Sequence, residues 1–296
     1  MANPTKNSDL GLDGRVVLVT GAGRGLGQAY AACLAAQGAQ IVVHDAGVDP
    51  DGRNPDPACA EAVAETLRAQ GGSAFALTAV LDGAESCRRL VGDVLERFGR
   101  LDGLIHNAGL VVWRHPAEVD DALYARLSAV NNDAAFWLVS AALPAMRDRG
   151  FGRIVLTSSG WALGPHKGAD ELVLYSHGKG AQFGLAMALA QGAGHPNILT
   201  NVIAPVAKTR IYRGEVPPDR LRPERVAGAV AWLASPACEL TGCLVDARDG
   251  ELSLLRLAPI GHRTLGAAAA EPAAAGAALL AIAETAEPPL PARNAS

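Results

Sequence analysis

The sequence predicts an α/β protein built on one doubly wound sheet of about seven parallel strands. Three observations predict it. A β-branched run at residues 15–20 leads directly into the glycine-rich turn Gly21-Ala-Gly23-Arg-Gly25-Leu-Gly27, which opens an alanine-rich helical stretch. Short apolar runs then alternate with longer amphipathic stretches as far as about residue 246. No change of composition marks a second domain within that span.

The elements follow in order. Residues 15–20 are apolar without alternation, as in a strand buried on both faces. Residues 28–37 read as a helix stopped by Gly38, and residues 41–45 as a second strand, which completes one βαβ unit. Residues 47–57 form a polar insertion rich in Pro, Gly and Asp. A helix over 58–70 ends at Gly71-Gly72, and a third strand covers 73–80. A helix over 84–98 ends at Gly99, and a fourth strand over 101–106 runs into Asn107-Ala108-Gly109. Residues 120–149 read as one long helix that contains Asn131 and bends near Pro144. A fifth strand over 153–157 reaches Ser158-Ser159, and a loop over 160–174 leads to a helix that begins at Tyr175. A sixth strand over 198–203 precedes Ala204-Pro205; a short helix over 225–233 and a seventh strand over 243–246 follow. Residues 1–11 form a polar tail, 12–265 the domain, and 266–296 an Ala- and Pro-rich extension. Within the extension residues 273–287 suit a helix that Pro288, Pro289 and Pro291 cannot continue. It is either a loose tail, which its composition favours, or a segment docked on a neighbouring subunit.

Composition narrows the function. The chain has 296 residues, 26 basic and 30 acidic, for a net charge of −4, with no basic stripe for nucleic acid and no polybasic block for a membrane surface. No apolar run of about 18 residues is present, and residues 1–9 lack the apolar core of a signal peptide. The five cysteines are scattered, as in a reduced cytoplasmic protein, and the seven histidines show no ligand spacing, so no metal site is expected.

The glycine turn has a chemical reading. Glycines let the backbone turn tightly and approach a pyrophosphate, and the following helix offers free N–H groups and the positive end of its dipole. Gly21, Gly23, Arg24, Gly25, Leu26 and Gly27 are therefore candidate dinucleotide-binding residues. Asp45 ends the second strand, where a carboxylate would accept hydrogen bonds from the adenosine ribose and repel a 2′-phosphate. This favours NAD over NADP.

Tyr175 and Lys179 lie four residues apart, one turn on one helix face. An ammonium beside a phenol lowers the tyrosine pKa from its usual value of roughly 10, and such a tyrosine can exchange a proton with an alcohol oxygen near neutral pH. Alone, the pair is a weak signal.

Together these residues resemble the short-chain dehydrogenase/reductase family. The resemblance runs from about Leu12 to about Gly266 and rests on Thr20-Gly-Ala-Gly-Arg-Gly-Leu-Gly27, Asn107-Ala-Gly109, Asn131, Ser159, Tyr175-x-x-x-Lys179 and Asn201-x-x-x-Pro205, in the family's order. The loop after Asp45, residues 204–209 and a late strand before Thr264 are similar to the (3R)-hydroxyacyl-CoA dehydrogenase part of peroxisomal multifunctional enzymes and its bacterial relatives. The resemblance implies a Rossmann fold. It makes Tyr175 the general acid/base and gives Lys179 two tasks, tuning Tyr175 and holding the nicotinamide ribose. Ser159, preferred to Ser158, would bond the substrate oxygen, and Asn131 would hold a water in a proton relay. Asn107, Ala108 and Gly109 would line the adenosine side, and Pro205 and Thr209 would complete the cofactor site.

The expected reaction is hydride transfer between NAD and a secondary alcohol or ketone, the partner being a small molecule. A homodimer or homotetramer paired through the Tyr175 helix, where Gly178, Gly180 and Gly184 permit close approach, is also implied. Trp113 and Trp161 are expected near the pocket mouth and suit a bulky apolar substrate. The cations after Pro205, from Lys208 to Arg225, are interleaved with Glu215, Asp219 and Glu224 and read as a charged lid. The sequence departs from the family pattern at His106, Ala79, Val206, residues 246–249 and the segment before Tyr175. NADPH-dependent reduction aided by Arg24, and a catalytically silent nucleotide sensor, are the alternatives.

Overall fold

The computed structural model describes residues 10–164, 169–256, 262–264 and 271–285. Its first half comprises β1 (Val16–Thr20), α1 (Gly25–Ala35), β2 (Gln40–His44), α2 (Ala58–Ala69), β3 (Ser73–Leu77), α3 (Ala84–Phe98) and β4 (Gly103–His106). Then come α4 (Asp121–Ser128), α5 (Ala134–Arg149), β5 (Gly152–Thr157), α6 (Val173–Gly192), β6 (Ile198–Val206), α7 (Glu224–Leu233), β7 (Leu244–Arg248) and β8 (Glu251–Leu255).

The strands form one sheet in the order β3-β2-β1-β4-β5-β6-β7-β8. The seven expected strands are parallel, and the chain reverses its direction of growth between β1 and β4. Such a reversal opens a crevice at the carboxyl ends of those two strands. β1 shows why the strands read as unbroken apolar runs. Val17 and Val19 enter the core beneath α1 and α7, while Val16 and Leu18 enter the opposite core beneath α3, α5 and α6.

Three features differ from the sequence-based expectation. First, β8 is antiparallel to β7. Asp249 (φ 49°) and Gly250 (φ 88°) both take left-handed backbone between the paired Arg248 and Glu251, the geometry that an Asp-Gly hairpin turn supplies. Second, the long helix is interrupted at a π-turn, Ala129–Asp133, whereas α5 continues through Pro144. Third, β6 extends through Pro205. It pairs with β5 only as far as Ile203 and beyond that with β7 alone, so the missing proline N–H falls past the last β5 partner.

The chain divides into two compact units, Met1–Leu255 and Arg256–Ser296. In the second, α8 (Pro272–Thr285) occupies the stretch expected to be helical and starts on a proline, a residue suited to a helix's first turn. Pro288, Pro289 and Pro291 lie outside the described residues.

Candidate active site

The crevice is held by one oxygen. Thr20 ends β1 fully buried, and its Oγ1 accepts hydrogen bonds from the backbone N–H of Asn107 and of Ala108, both at 3.1 Å. With both lone pairs used, its O–H donates to His106 Nδ1 at 3.0 Å. That places the ring proton of His106 on the buried Nε2. Burial, reinforced by the Lys179 charge, depresses the His106 pKa to about 3, so the ring is neutral. His106 thus joins β1 to β4 where the family resemblance led us to expect asparagine.

The glycine turn forms a cradle. A Cβ on Gly21 (φ +66°) would lie 2.8 Å from Ala108 Cα, and one on Gly27 would lie 2.1 Å from the Gly21 carbonyl. Arg24, at the N-cap of α1, is extended and makes no side-chain cap, and the first turn contains no acid. The leading N–H groups of α1 therefore suit an anion. A cavity of about 540 Å³ opens there, lined by Gly21, Arg24, Gly25, Leu26, Asp45, Asn107, Ala108, Gly109 and Thr209, all expected from the sequence. Gly23 and Gly27 meet a packing demand. A Cβ on Gly23 would meet Cys59 Sγ at 2.4 Å, and Pro205 lies within β6.

Asp45 faces the cavity, its carboxylate held by the N–H of Gly23 at 2.8 Å and of Gly47 at 2.7 Å. Ala79 and Asp82 both line the wall, and the Ala79 carbonyl is bonded to His44 Nε2. The insertion after β2 also contributes. Val48, Pro50 and Gly52 line the cavity, and Arg210 from the far loop donates to the Val48 carbonyl at 2.8 Å.

Beyond Gly109 lie the groups expected to carry chemistry. A Cβ on Gly109 would fall 3.2 Å from Lys179 Nζ and 3.0 Å from Asn131 Oδ1, so glycine brings both close. Ser159 lies near enough to Tyr175 to favour its phenolate, and Lys179 Nζ lies 5.8 Å from the Tyr175 ring centroid. Ser158 is committed elsewhere, donating to the Lys179 carbonyl at 2.9 Å. The Asn131 side chain is fully used by the backbone of Leu110, accepting from its N–H at 2.9 Å and donating to its carbonyl at 2.8 Å.

The electrostatics differ from the sequence expectation. Desolvation raises the Tyr175 pKa, and Ser159 only partly offsets it. Lys179 is 2% exposed, and burial lowers its pKa to about 7. Its charge is therefore only partly present at neutral pH, and the phenol of the protein alone is not acidic.

At the substrate end, Trp113 and Trp161 meet edge to face at 6.1 Å, and Arg213 sits 4.5 Å over the Trp113 ring. Arg220 and Arg225 both pair with Asp249, and Arg222 pairs with Glu224. Among the described residues, three of the six cations from Lys208 to Arg225 thus pair with acids, and Glu224, paired with Arg222, is one of the interleaved acids of the charged-lid reading. Of the three glycines expected to face a second copy, Gly178 is used internally against Asn131, while Gly180 and Gly184 are open. No metal-binding cluster occurs among the described residues, and no described helix is long and apolar enough to cross a membrane.

A doubly wound sheet with a glycine cradle at its switch point, and a Tyr-Lys-Ser group beside it, is the arrangement that a nucleotide-dependent oxidoreductase site requires. The chain belongs to the short-chain dehydrogenase family, whose profile matches residues 15–215. It is 37% identical over 263 residues to peroxisomal multifunctional enzyme type 2 of Mus musculus, an alignment covering 88% of this chain and 34% of that protein, so the chain spans about a third of that relative's length. A crystal structure of a short chain dehydrogenase from Mycobacterium avium superposes with a TM-score of 0.80 at 31% identity, covering 95% of this chain and 98% of that one. A 3-oxoacyl (acyl-carrier-protein) reductase from Agrobacterium tumefaciens, with NADP bound, gives 0.71 at 27% identity, covering 85% and 100%.

Sequence reasoning missed the Val48 to Gly52 wall and Gln182. The second left a signal: an amide in the otherwise small and apolar run that follows Lys179.

Proposed function

We propose that this protein transfers hydride between NAD and a secondary alcohol or ketone on a bulky apolar scaffold, such as a hydroxyacyl thioester, terpenoid, steroid or polyketide. The observation that carries the reading is Tyr175 within the electrostatic reach of Ser159, one helical turn from the buried Lys179, whose Nζ lies 5.8 Å from the Tyr175 ring, beside the glycine-cradled cavity. When bound, nicotinamide supplies or accepts the hydride.

In the reducing direction Ser159 and Tyr175 donate hydrogen bonds to the substrate oxygen, and Tyr175 gives up its proton as charge develops there. In the oxidising direction the same phenol takes the alcohol proton. Protonated Lys179 stabilises the phenolate left on Tyr175 and, with Tyr175, holds the nicotinamide ribose. The free N–H groups of α1 and Thr209 receive the pyrophosphate, and Asn107 and Ala108 hold the adenosine side. The Asn131 side chain is committed to Leu110, so a relay water would be held by its main-chain carbonyl, which also accepts from Gln182.

Asp45 supports NAD, because a carboxylate at the ribose repels a 2′-phosphate. A second reading, NADP, is favoured by Arg24 at the cavity wall and by the NADP-bound structural relative. The edge-to-face Trp113 and Trp161 support a bulky substrate. We further assign the protein to the cytoplasm as a homodimer or homotetramer, with residues 266–296 as an extension to the domain. The test is a panel of secondary alcohols and ketones, acetoacetyl-CoA and a cyclic ketone among them, followed by reduced-nicotinamide absorbance with each cofactor. Turnover with NAD is expected; equal turnover with NADP defeats the cofactor assignment, and full activity in folded Tyr175→Phe defeats the mechanism.

A further inference from the structure

Gln182 lies seven residues beyond Tyr175 on α6 and is 1% exposed. A primary amide buried so completely is retained only where both of its ends are satisfied. Both are. Its Oε1 accepts from the N–H of Thr157 at 3.1 Å, and its Nε2 donates to the carbonyl of Asn131 at 2.8 Å. The amide has one possible orientation, because Thr157 offers it only a backbone donor and Asn131 only a backbone acceptor.

The two partners sit at chemically important places. Thr157 is the last residue of β5, two residues before Ser159. Asn131 is the centre of the π-turn, packed behind Gly109 and Lys179. Gln182 itself stands one turn after Lys179. The segments that carry Ser159, Asn131 and the Tyr175–Lys179 pair therefore meet at one side chain.

Two neighbouring contacts require the same closeness. Ser158 donates to the Lys179 carbonyl, stitching β5 to α6. A Cβ on Gly178 would lie 2.7 Å from Asn131 Cβ, so α6 approaches the π-turn more closely than any other residue would allow. An apolar side chain in place of Gln182 would fill the space yet leave a buried N–H and a buried carbonyl without partners.

We propose that Gln182 is a positioning residue of the hydride-transfer site, setting Ser159 against Tyr175 and Asn131 against Lys179 through a single bridge. The proposal rests on the roles given to those residues above. Gln182 touches no reacting atom; it acts by fixing the groups that do, and displacement of about 1 Å in such groups costs on the order of a hundredfold in rate.

The test compares Gln182→Leu and Gln182→Glu with the parent, using Tyr175→Phe as the spectroscopic blank. One readout needs no substrate: the ultraviolet titration of the Tyr175 phenol. The other is kcat and KM against pH, with the fastest ketone of the panel. Gln182→Leu is expected to lose roughly tenfold or more in kcat, with KM for the cofactor within about twofold. Its Tyr175 is expected to titrate at higher pH as the Ser159 contact loosens.

Gln182→Glu separates positioning from bulk. A neutral carboxylic acid can accept from Thr157 and donate to Asn131, whereas a carboxylate cannot donate. Its kcat should therefore approach the parent's at low pH and fall as the new carboxyl ionises. Tyr175 and Lys179 on α6 and His106 on β4 are common to parent and variant, so an added limb belongs to the new group. Parent-like kcat and phenol titration in Gln182→Leu overturn the proposal, even if that variant melts earlier. If Gln182→Leu does not fold, the absence of an added pH limb in Gln182→Glu overturns it. If the parent turns over no ketone of the panel, the substrate reading fails, and the phenol titration still decides the role of Gln182.

Discussion

The hydroxyl of Ser158 donates to the carbonyl of Lys179 at 2.9 Å, one residue before the serine that meets Tyr175. Two adjacent serines at the end of β5 therefore have different tasks. Ser158→Ala should cost about 1 kcal/mol of stability, because one buried bond between β5 and α6 is lost while the Lys179 carbonyl keeps its helical partner, with kcat within a few fold of the parent. Ser159→Ala should leave the melting temperature nearly unchanged and lower kcat by roughly 10²–10³-fold. Thermal denaturation and steady-state kinetics on the two variants check the division.

Burial of Lys179 makes stability depend on pH. Its folded pKa of about 7 lies well below the ordinary lysine value, so between those values the unfolded chain binds a proton that the folded one does not. Stability contributed at Lys179 is therefore full above the ordinary lysine pKa and falls as pH drops toward 7. His44 (about 4) and His106 (about 3) add a second loss as pH falls below the ordinary histidine range. Lys179→Met should remove the alkaline part of this dependence, melt higher at pH 7 by a gain on the order of a few kcal/mol, and be inactive. Denaturant unfolding between pH 6 and 10 measures it.

Asp45 holds two backbone N–H groups and presents negative charge to the cavity. Asp45→Asn removes the charge and can satisfy only one of those donors through its single oxygen. The ratio of kcat/KM for NAD to that for NADP should fall by about tenfold, a change of roughly 1.4 kcal/mol in relative transition-state binding. Kinetics with both cofactors on one substrate gives the ratio.

The Arg210–Val48 hydrogen bond ties the loop after β6 to the insertion after β2 across the cavity. Arg210→Ala should speed release of reduced cofactor by about fivefold, equivalent to ~1 kcal/mol for one exposed charge-assisted bond. Stopped-flow fluorescence of bound reduced nicotinamide measures that rate.

Much of this architecture was legible because the local pattern and the tertiary environment agree. β1 is buried on both faces, and its sequence carries no polar interruption. The glycine turn was legible because each glycine answers a steric demand, Gly23 and Gly27 at the close packing that such a turn also needs. The π-turn was not legible. It depends on Asn131 reaching Leu110, twenty-one residues away, and helical periodicity contains no trace of that contact, whereas Pro144 offers an obvious and misleading breaker. β8 could have been read from Asp249-Gly250, a hairpin dipeptide. The acidic phenol expected from Tyr175-x-x-x-Lys179 failed for a physical reason: spacing fixes adjacency, and only the fold reveals that both groups are desolvated.

The hydroxyl of Thr20, at the end of β1, takes three groups from the consecutive residues 106–108 at the end of β4, across the sheet's reversal point. Removing it would leave two amides and an imidazole to compete for nothing, so the walls of the crevice are mechanically one piece. A drift in either wall is felt at once by the other, through this hydroxyl and through the Asn107 amide that holds the Thr20 and Gly21 carbonyls.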